Sequence, residues 1–329
     1  MTKVPVLVTG GAGYIGSHAV LALKDAGWPV AVIDDLSNGS RQVVPDNVPF
    51  YEGNVADRSL VDRIFEEERI EAIMHFAGSI VVPESVEQPL KYYANNTLAS
   101  HALISAAVAA GVKHILFSST AATYGAPERV PIDEDDPKVP INPYGASKLM
   151  TERMLEDASA AHPFNYGALR YFNVAGADPE GRTGQLGKGS THLIKVACEA
   201  AVGKRDRIAV YGTDYPTPDG TCIRDYIHVS DLAAAHVAAL EWLVAHPDEN
   251  LVMNCGYGKG LSVIEVLDAV DRASGTSVKR VIEGRRAGDP PELVAGNARL
   301  LETLDWRPAY ADIDRIVGDA LAWERTLLD

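Results

Sequence analysis

The first half of the chain switches between two rhythms of apolar and polar positions. Short apolar runs end in glycine or acid: VPVLVTG at 4–10, VAVIDD at 30–35, VPFYEG at 48–53 and EAIMHFAG at 71–78. HILFSST at 114–120 and YGALRYFNVAG at 166–176 continue the series. Between them, residues 16–26, 59–68 and an alanine-rich stretch over roughly 91–110 carry helical spacing. Strands this apolar and β-branched are buried on both faces. Alternating with helices, they predict a parallel sheet covered on both sides. Right-handed crossovers make that sheet doubly wound.

The second half changes character. ADPEGRTGQLGKGS at 177–190 and DYPTPDGTC at 214–222 read as loops. Helical spacing returns at 191–202, 230–246, 262–274 and 312–327. The expected division is a sheet domain over 1–172 and a smaller α/β lobe over 173–329, with the chain returning to the first domain around 223–257. No internal repeat or low-complexity tract is evident.

Composition narrows the possible partners. Of 329 residues, 47% are apolar and 23% charged, as in an ordinary globular protein. The net charge of -15 speaks against nucleic acid or an anionic membrane as partner, since both need clustered cations. An anionic small ligand needs only a few local ones. The opening MTKVPVLVTGG lacks a signal peptide's long apolar core and cleavage site, and no run approaches the ~18 apolar residues of a membrane span. Cys198, Cys222 and Cys255 are scattered and odd in number, giving neither a disulfide framework nor a metal site. The expected setting is reducing and cytoplasmic. Cys255 in LVMNCG reads as a small buried side chain.

TGGAGYIGSH at 9–18 follows a strand and opens a helix. Gly10, Gly13 and Gly16 are three apart, and Gly11 adds an overlapping pattern. Glycine serves where φ is positive and where a pyrophosphate approaches the backbone, and the helix start then offers free N–H groups. Asp34 and Asp35 end the next strand. Asp34 stands where a carboxylate accepts from a ribose diol, and its charge favours NAD over NADP. The expected fold is therefore a Rossmann-type doubly wound sheet.

INPYGASKLM at 141–150 begins with a helix cap, Asn142, and a first-turn proline, Pro143. Tyr144 and Lys148 are then one turn apart on one face. A phenol of pKa near 10 is a poor base. A neighbouring ammonium and a positive nicotinamide ring both favour its phenolate, which then matches an alcohol losing hydride. Ser118, Ser119 and Thr120 end a strand upstream and offer hydroxyls to the reacting oxygen.

These residues, with FAG (76–78), SSTAATYG (118–125), LRYFN (169–173), RDYIHVSDLA (224–233) and RRAGD (285–289), resemble the extended short-chain dehydrogenases/reductases over nearly the whole chain. The resemblance implies bound NAD. Gly10, Gly13, Tyr14, Ile15 and Gly16 would form the cofactor loop and Asp34 would hold the adenosine ribose. Asn38, Asn54, Val55, Phe76, Ala77, Gly78, Asn95, Ser118, Tyr144, Lys148 and Tyr171 would be further contacts. Thr120, Tyr144 and Lys148 would be catalytic. With Thr120 and Tyr144, residues Asn173, Leu193, Tyr211, Arg224, Arg286 and Asp289 would meet a UDP-sugar. Arginine forks suit its diphosphate.

The implied reaction is 4-epimerisation, interconverting UDP-galactose and UDP-glucose through a transient 4-keto sugar while NAD stays bound. The resemblance also implies a homodimer built on two first-domain helices. Some positions depart from the family pattern. Asn54 replaces an Asp, Ile80 a Lys, His192 an Asn, and Leu293 a bulky Tyr. The last exchange opens room for a 2-acetamido group.

Four alternatives stay open. A 4,6-dehydratase would carry an acid pair after Thr120, where Ala121 and Ala122 stand. A simple dehydrogenase would release NADH. A redox-sensing regulator would lack the Tyr–Lys pair. The same epimerisation of UDP-GlcNAc/GalNAc or UDP-xylose/arabinose would differ only in the sugar pocket. Outside the motifs' chemistry, His228 reads as satisfying a local hydrogen bond, and the terminal helix as an amphipathic surface element.

Overall fold

The computed structural model describes residues 3–186, 190–286 and 289–328. The chain begins with β1 (Val6–Thr9), α1 (Tyr14–Asp25), β2 (Val30–Asp34), β3 (Phe50–Glu52), α2 (Arg58–Glu67) and β4 (Ala72–His75). It continues through α3 (Val82–Glu87), α4 (Pro89–Tyr92), a π-helical turn (Tyr93–Leu98), α5 (Ala99–Ala110), β5 (His114–Thr120), α6 (Pro143–Ala161) and β6 (Asn165–Tyr171). The second half holds β7 (Asn173–Ala175), α7 (Leu193–Ala201), β8 (Ile208–Tyr211), β9 (Ile223–His228), α8 (Val229–Ala245) and β10 (Leu251–Cys255). It ends with β11 (Gly260–Ser262), α9 (Val263–Ser274), β12 (Arg280–Glu283), β13 (Glu292–Leu293), α10 (Ala298–Thr303) and α11 (Ile313–Thr326).

Seven strands form one parallel sheet in the order β10-β6-β5-β4-β1-β2-β3. Successive side chains of β1 leave by opposite faces. Val6 and Val8 join Val20, Leu23, Leu240 and Leu243 under α1 and α8. Leu7 joins Ile64, Leu103 and Ala107 under α2 and α5. Strand order reverses at β1, which pairs with β2 on one side and β4 on the other. A crevice opens outside the strand ends at such a reversal.

The second core packs α7, α9 and α11 around Ile194, Cys198, Val266, Val270, Val317 and Leu321. Ser262 and Glu265 form a capping box that starts α9, and Gly275 at φ +74 ends it. β9 is the hinge of the smaller sheet. Its first half pairs with β11 and β13, its second half with β7. Among the described residues, no helix is long and apolar enough to cross a membrane.

Two elements differ from the sequence pattern. The run at 166–176 is two strands. β6 stays in the large sheet as far as Tyr171, and β7 starts at Asn173 in the smaller one. The run at 91–110 is α4, the π turn and α5, because an extra residue is accommodated around Asn95 and Asn96. Asn96 is buried there, accepts from Ser79 N at 2.7 Å and donates to Ser147 Oγ at 3.0 Å. The short strands β8, β11, β12 and β13 and the helices α3 and α10 lacked a periodic signal.

Candidate active site

β1 ends at Thr9, and Gly10 turns the chain at φ +70. The turn is tight on one side and open on the other. A Cβ on Gly10 would lie 2.7 Å from Ala77 N, whereas one on Gly13 would meet only Gly10 O at 3.2 Å. Gly13 is the N-cap of α1 and has no side chain to cap it. The first N–H groups of α1 thus face the crevice without a side-chain cap, a cradle suited to phosphate. Asp34 closes the far side. It accepts from Ala12 N and Leu36 N, both at 2.9 Å. Burial pushes its carboxyl above the ordinary 3.8 although both hydrogen bonds oppose this. Such a buried acceptor at the edge of the cleft suits a ribose diol, so the turn and the acid fit a dinucleotide.

One cleft of about 460 Å³ gathers most of the residues expected from sequence. Gly10, Gly13, Tyr14, Ile15, Gly16, Asp34, Asn38, Asn54 and Val55 line one end. Phe76, Ala77, Gly78, Asn95, Thr120, Tyr144, Tyr171, Asn173 and Leu193 line the remainder. Asn54 accepts from Ala56 N at 2.9 Å, and Asn95 donates to Ser79 Oγ at 3.1 Å. Tyr14 donates to Gly176 O at 2.7 Å and so joins the two halves of the chain. Ile80 and His192 also line the cleft.

Lys148 and Ser118 stand behind this surface. Lys148 Nζ donates to Ser118 O at 3.0 Å and lies 4.7 Å from the centre of the Phe117 ring. A Cβ on Gly78 would come within 4.0 Å of that Nζ, which places the charge under the cleft floor. Ser118 Oγ donates to the Tyr171 hydroxyl at 3.2 Å. Burial pulls the Lys148 ammonium from 10.5 down to about 8, with Glu152 opposing. Burial pushes the Tyr144 phenol well above 10. Tyr171 adds to the rise and the Thr120 hydroxyl works against it. The ammonium donates to the Ser118 carbonyl, while burial favours the neutral phenol; a positive charge brought into the cleft would favour the phenolate.

The remaining sugar-nucleotide candidates cluster on the second lobe. The Arg286 guanidinium lies 3.9 Å from the centre of the Tyr211 ring. Arg224 stands 3.8 Å from Asp289 and donates to Ile223 O at 2.8 Å. Leu293 pairs with Arg224 across β13 and β9 and packs on the cluster of Phe172, Tyr124 and Ala295. Ala287 and Gly288 of the RRAGD motif lie outside the described residues, as do Gly187, Lys188 and Gly189 of the preceding loop.

Sequence reasoning missed the wall formed by Gln185, Lys195 and Trp323. Gln185 donates to His192 Nδ1 at 2.9 Å, and Lys195 and Trp323 Nε1 both donate to Gln185 O, at 2.9 and 3.3 Å. These residues come from a loop and two distant helices and share no motif. His228 does hold a local bond, accepting from Ser230 N at 3.0 Å at the start of α8.

Residues 6–256 match the model of the NAD dependent epimerase/dehydratase family. The chain is 60% identical over 322 residues to a UDP-glucose 4-epimerase of Azospirillum brasilense, covering 98% of this chain and 92% of that one. The crystal structure of UDP-glucose 4-epimerase from Brucella ovis in complex with NAD superposes with a TM-score of 0.94 at 44% identity, covering 98% of each chain. The UDP-Glc/GlcNAc 4-epimerase from Campylobacter jejuni superposes with a TM-score of 0.86 at 45% identity, covering 98% of this chain and 100% of that one. Matched by the family model over more than half of its length, the chain belongs to the NAD dependent epimerase/dehydratase family.

Proposed function

We propose that the chain interconverts UDP-galactose and UDP-glucose by 4-epimerisation, with NAD held throughout the cycle. The observation that carries this reading is a shared cleft: Tyr144 and Thr120 open onto the same space as the glycine turn and Asp34. A sugar alcohol and a dinucleotide can therefore meet over one phenol. The names of the relatives support the sugar, and Ala121 and Ala122 after Thr120 leave a dehydratase without its acid pair. On this reading residues 1–172 form the dinucleotide domain and 173–329 the UDP-sugar lobe. β10 returns to the large sheet.

The roles follow from position. When bound, NAD supplies the hydride acceptor and donor at C4 and, when oxidised, a positive ring that favours the phenolate. Tyr144 takes the 4-hydroxyl proton as the C4–H bond breaks and the C4–O bond becomes a carbonyl, and it gives the proton back to that oxygen once the C4–H bond has re-formed on the opposite face of the sugar. Thr120 hydrogen bonds the reacting oxygen. Lys148 keeps a positive charge beneath the phenol. Asn173 and Leu193 address the sugar nucleotide within the cleft, while Tyr211, Arg224, Arg286 and Asp289 anchor its UDP end as the sugar turns over. An anchor at one end and few contacts at the other suit a substrate that must present both faces.

Asn95, Asn38, Asn54 and Val55 complete the dinucleotide site. We take the protein to be cytoplasmic, in keeping with three buried cysteines that form no disulfide. We take it to be a homodimer, in keeping with the exposure of Val86, Leu90 and Leu98 on adjoining helical turns.

A second reading keeps the reaction and widens the sugar. Leu293 packs beside Phe172, next to Asn173, and is smaller than a tyrosine, so a 2-acetamido group would meet less bulk there. One experiment separates the two. Protein purified without added coenzyme is incubated with UDP-galactose or with UDP-GalNAc, and anomeric protons are followed by NMR. UDP-glucose appearing without added NAD+ establishes the reaction and the retained coenzyme. Conversion in the second tube establishes the wider pocket. No conversion in either tube, even with NAD+ added, overturns both readings.

A further inference from the structure

The end of β5 and the buried face of α6 meet as a ladder. Ser118 O accepts from Lys148 Nζ, the Ser119 hydroxyl donates to Glu152 Oε1, and the Thr120 hydroxyl bears on Tyr144. Residues 144, 148 and 152 are one helical turn apart, so they share a face. The reading above uses Tyr144 and Lys148. It gives Glu152 nothing to do.

Glu152 and its partner Arg170 are both buried, at 6% and 4% exposure. Arg170 grips the carboxylate from Nε at 3.0 Å and from Nη2 at 2.6 Å. Its Nη1 donates to the Tyr124 hydroxyl at 2.9 Å, which donates to Asn254 Oδ1 at 2.7 Å. Stability alone does not explain a buried ion pair, since apolar side chains of similar volume often serve as well or better. A fully hydrogen-bonded network fixes geometry instead. The group one turn from this network is Lys148.

The surroundings of Lys148 leave Glu152 a specific task. From β4, His75 is buried and neutral, its ring nitrogens bonded to the Thr9 and Ser100 hydroxyls. From β5 come the Ser118 carbonyl and the Phe117 ring. β6 supplies Arg170 and Tyr171, and α6 itself supplies Tyr144 and Glu152. Burial works against the ammonium, and Glu152 is the group that opposes it.

We propose that Glu152 is a positioning residue: anchored by Arg170 and Ser119, it keeps Lys148 charged and seated on the Ser118 carbonyl beneath Tyr144. It touches neither sugar nor coenzyme and acts through Lys148. The proposal rests on the epimerase reading for the purpose of the Tyr–Lys pair.

The test uses the NAD-loaded protein and the variant Glu152→Gln, with the Lys148 titration followed by ¹⁵N-lysine NMR and kcat/KM measured against pH. A Lys148 that must be charged loses activity as pH rises through its pKa. Removing the carboxylate charge should move both the NMR titration and the alkaline limb of the rate down by about one pH unit, with a loss in kcat and little change in KM. Glu152→Gln leaves Arg170 without its partner, so Glu152→Gln/Arg170→Gln serves as a variant with no orphaned charge. It should shift in the same direction by less. A folded, loaded variant with reduced kcat but an unmoved titration and an unmoved limb overturns the proposal, since that is what a merely structural role predicts. A wild-type chain that converts no UDP-sugar while the variant still shifts Lys148 overturns the epimerase reading and supports the positioning.

Discussion

Gly16 sits against the carbonyl of Gly10: a Cβ at Gly16 would stand 2.1 Å from Gly10 O and 2.9 Å from its carbonyl carbon. The contact locks the start of α1 under the glycine turn proposed to cradle phosphate. Gly16→Ala must push the two apart, at a cost of about 1–3 kcal/mol. The same movement spoils the aim of the N–H groups. Dinucleotide occupancy of the purified variant should fall roughly tenfold or more, measured as nucleotide released per chain on denaturation. Full occupancy with an unchanged melting temperature would show that the turn yields without loss.

Tyr144→Phe removes the proposed proton acceptor and little else, because the ring is buried and stacks edge-on with Tyr92 at 6.5 Å. Turnover of UDP-galactose should drop by about 10²–10⁴-fold, while bound NAD stays at the wild-type level. Near-normal turnover would sink the assignment of Tyr144. Loss of NAD with the activity would mean that its hydroxyl serves binding rather than proton transfer.

Three imidazoles make the fold sensitive to acid. Burial holds His18 at about 4, His75 at about 3 and His236 at about 4, against an ordinary 6.5. The unfolded chain therefore binds more protons than the native one between pH 6.5 and 4, and stability present above 6.5 is lost as pH falls. Asp225, pushed up from 3.8 to about 6 by burial, works the other way over much of that window. Three groups against one leave a slope of up to about 3 kcal/mol per pH unit near pH 5. Urea unfolding at pH 7, 6 and 5 measures it. A flat profile over that range would mean that these rings are solvated.

Leu293→Tyr should narrow the sugar pocket. Conversion of UDP-GalNAc should fall by about 10- to 100-fold and conversion of UDP-galactose by much less. Parallel NMR assays with the two sugars give the ratio. Equal losses would show that residue 293 supports the fold rather than selects the sugar.

The dinucleotide half was legible because its signals are local. β1, the glycine turn, α1, β2 and Asp34 follow each other within one short stretch, and each carries its own periodicity or conformational requirement. Tyr144 and Lys148 were legible for the same reason, since Asn142 caps the helix by accepting from Gly145 N at 2.8 Å and so sets their face. What tertiary packing decides was not legible. The apolar run from Tyr166 to Gly176 carries no mark at Phe172 to say that the chain changes sheets there. Lys195 and Trp323 reach the cleft only because α7 and α11 pack together. The seat of Lys148 was legible only in part. Helical periodicity places it on the face of Tyr144, but it does not show the Ser118 carbonyl that accepts from its ammonium.

The change of sheets at Phe172 has a mechanical consequence. Tyr171 ends one sheet and Asn173 begins the other, with a single residue between them. On the proposed reading, one of these side chains meets the coenzyme and the other the sugar. The backbone itself therefore limits how far these two contacts can part, to about 7 Å between their Cα atoms, whatever the packing between the two sheets.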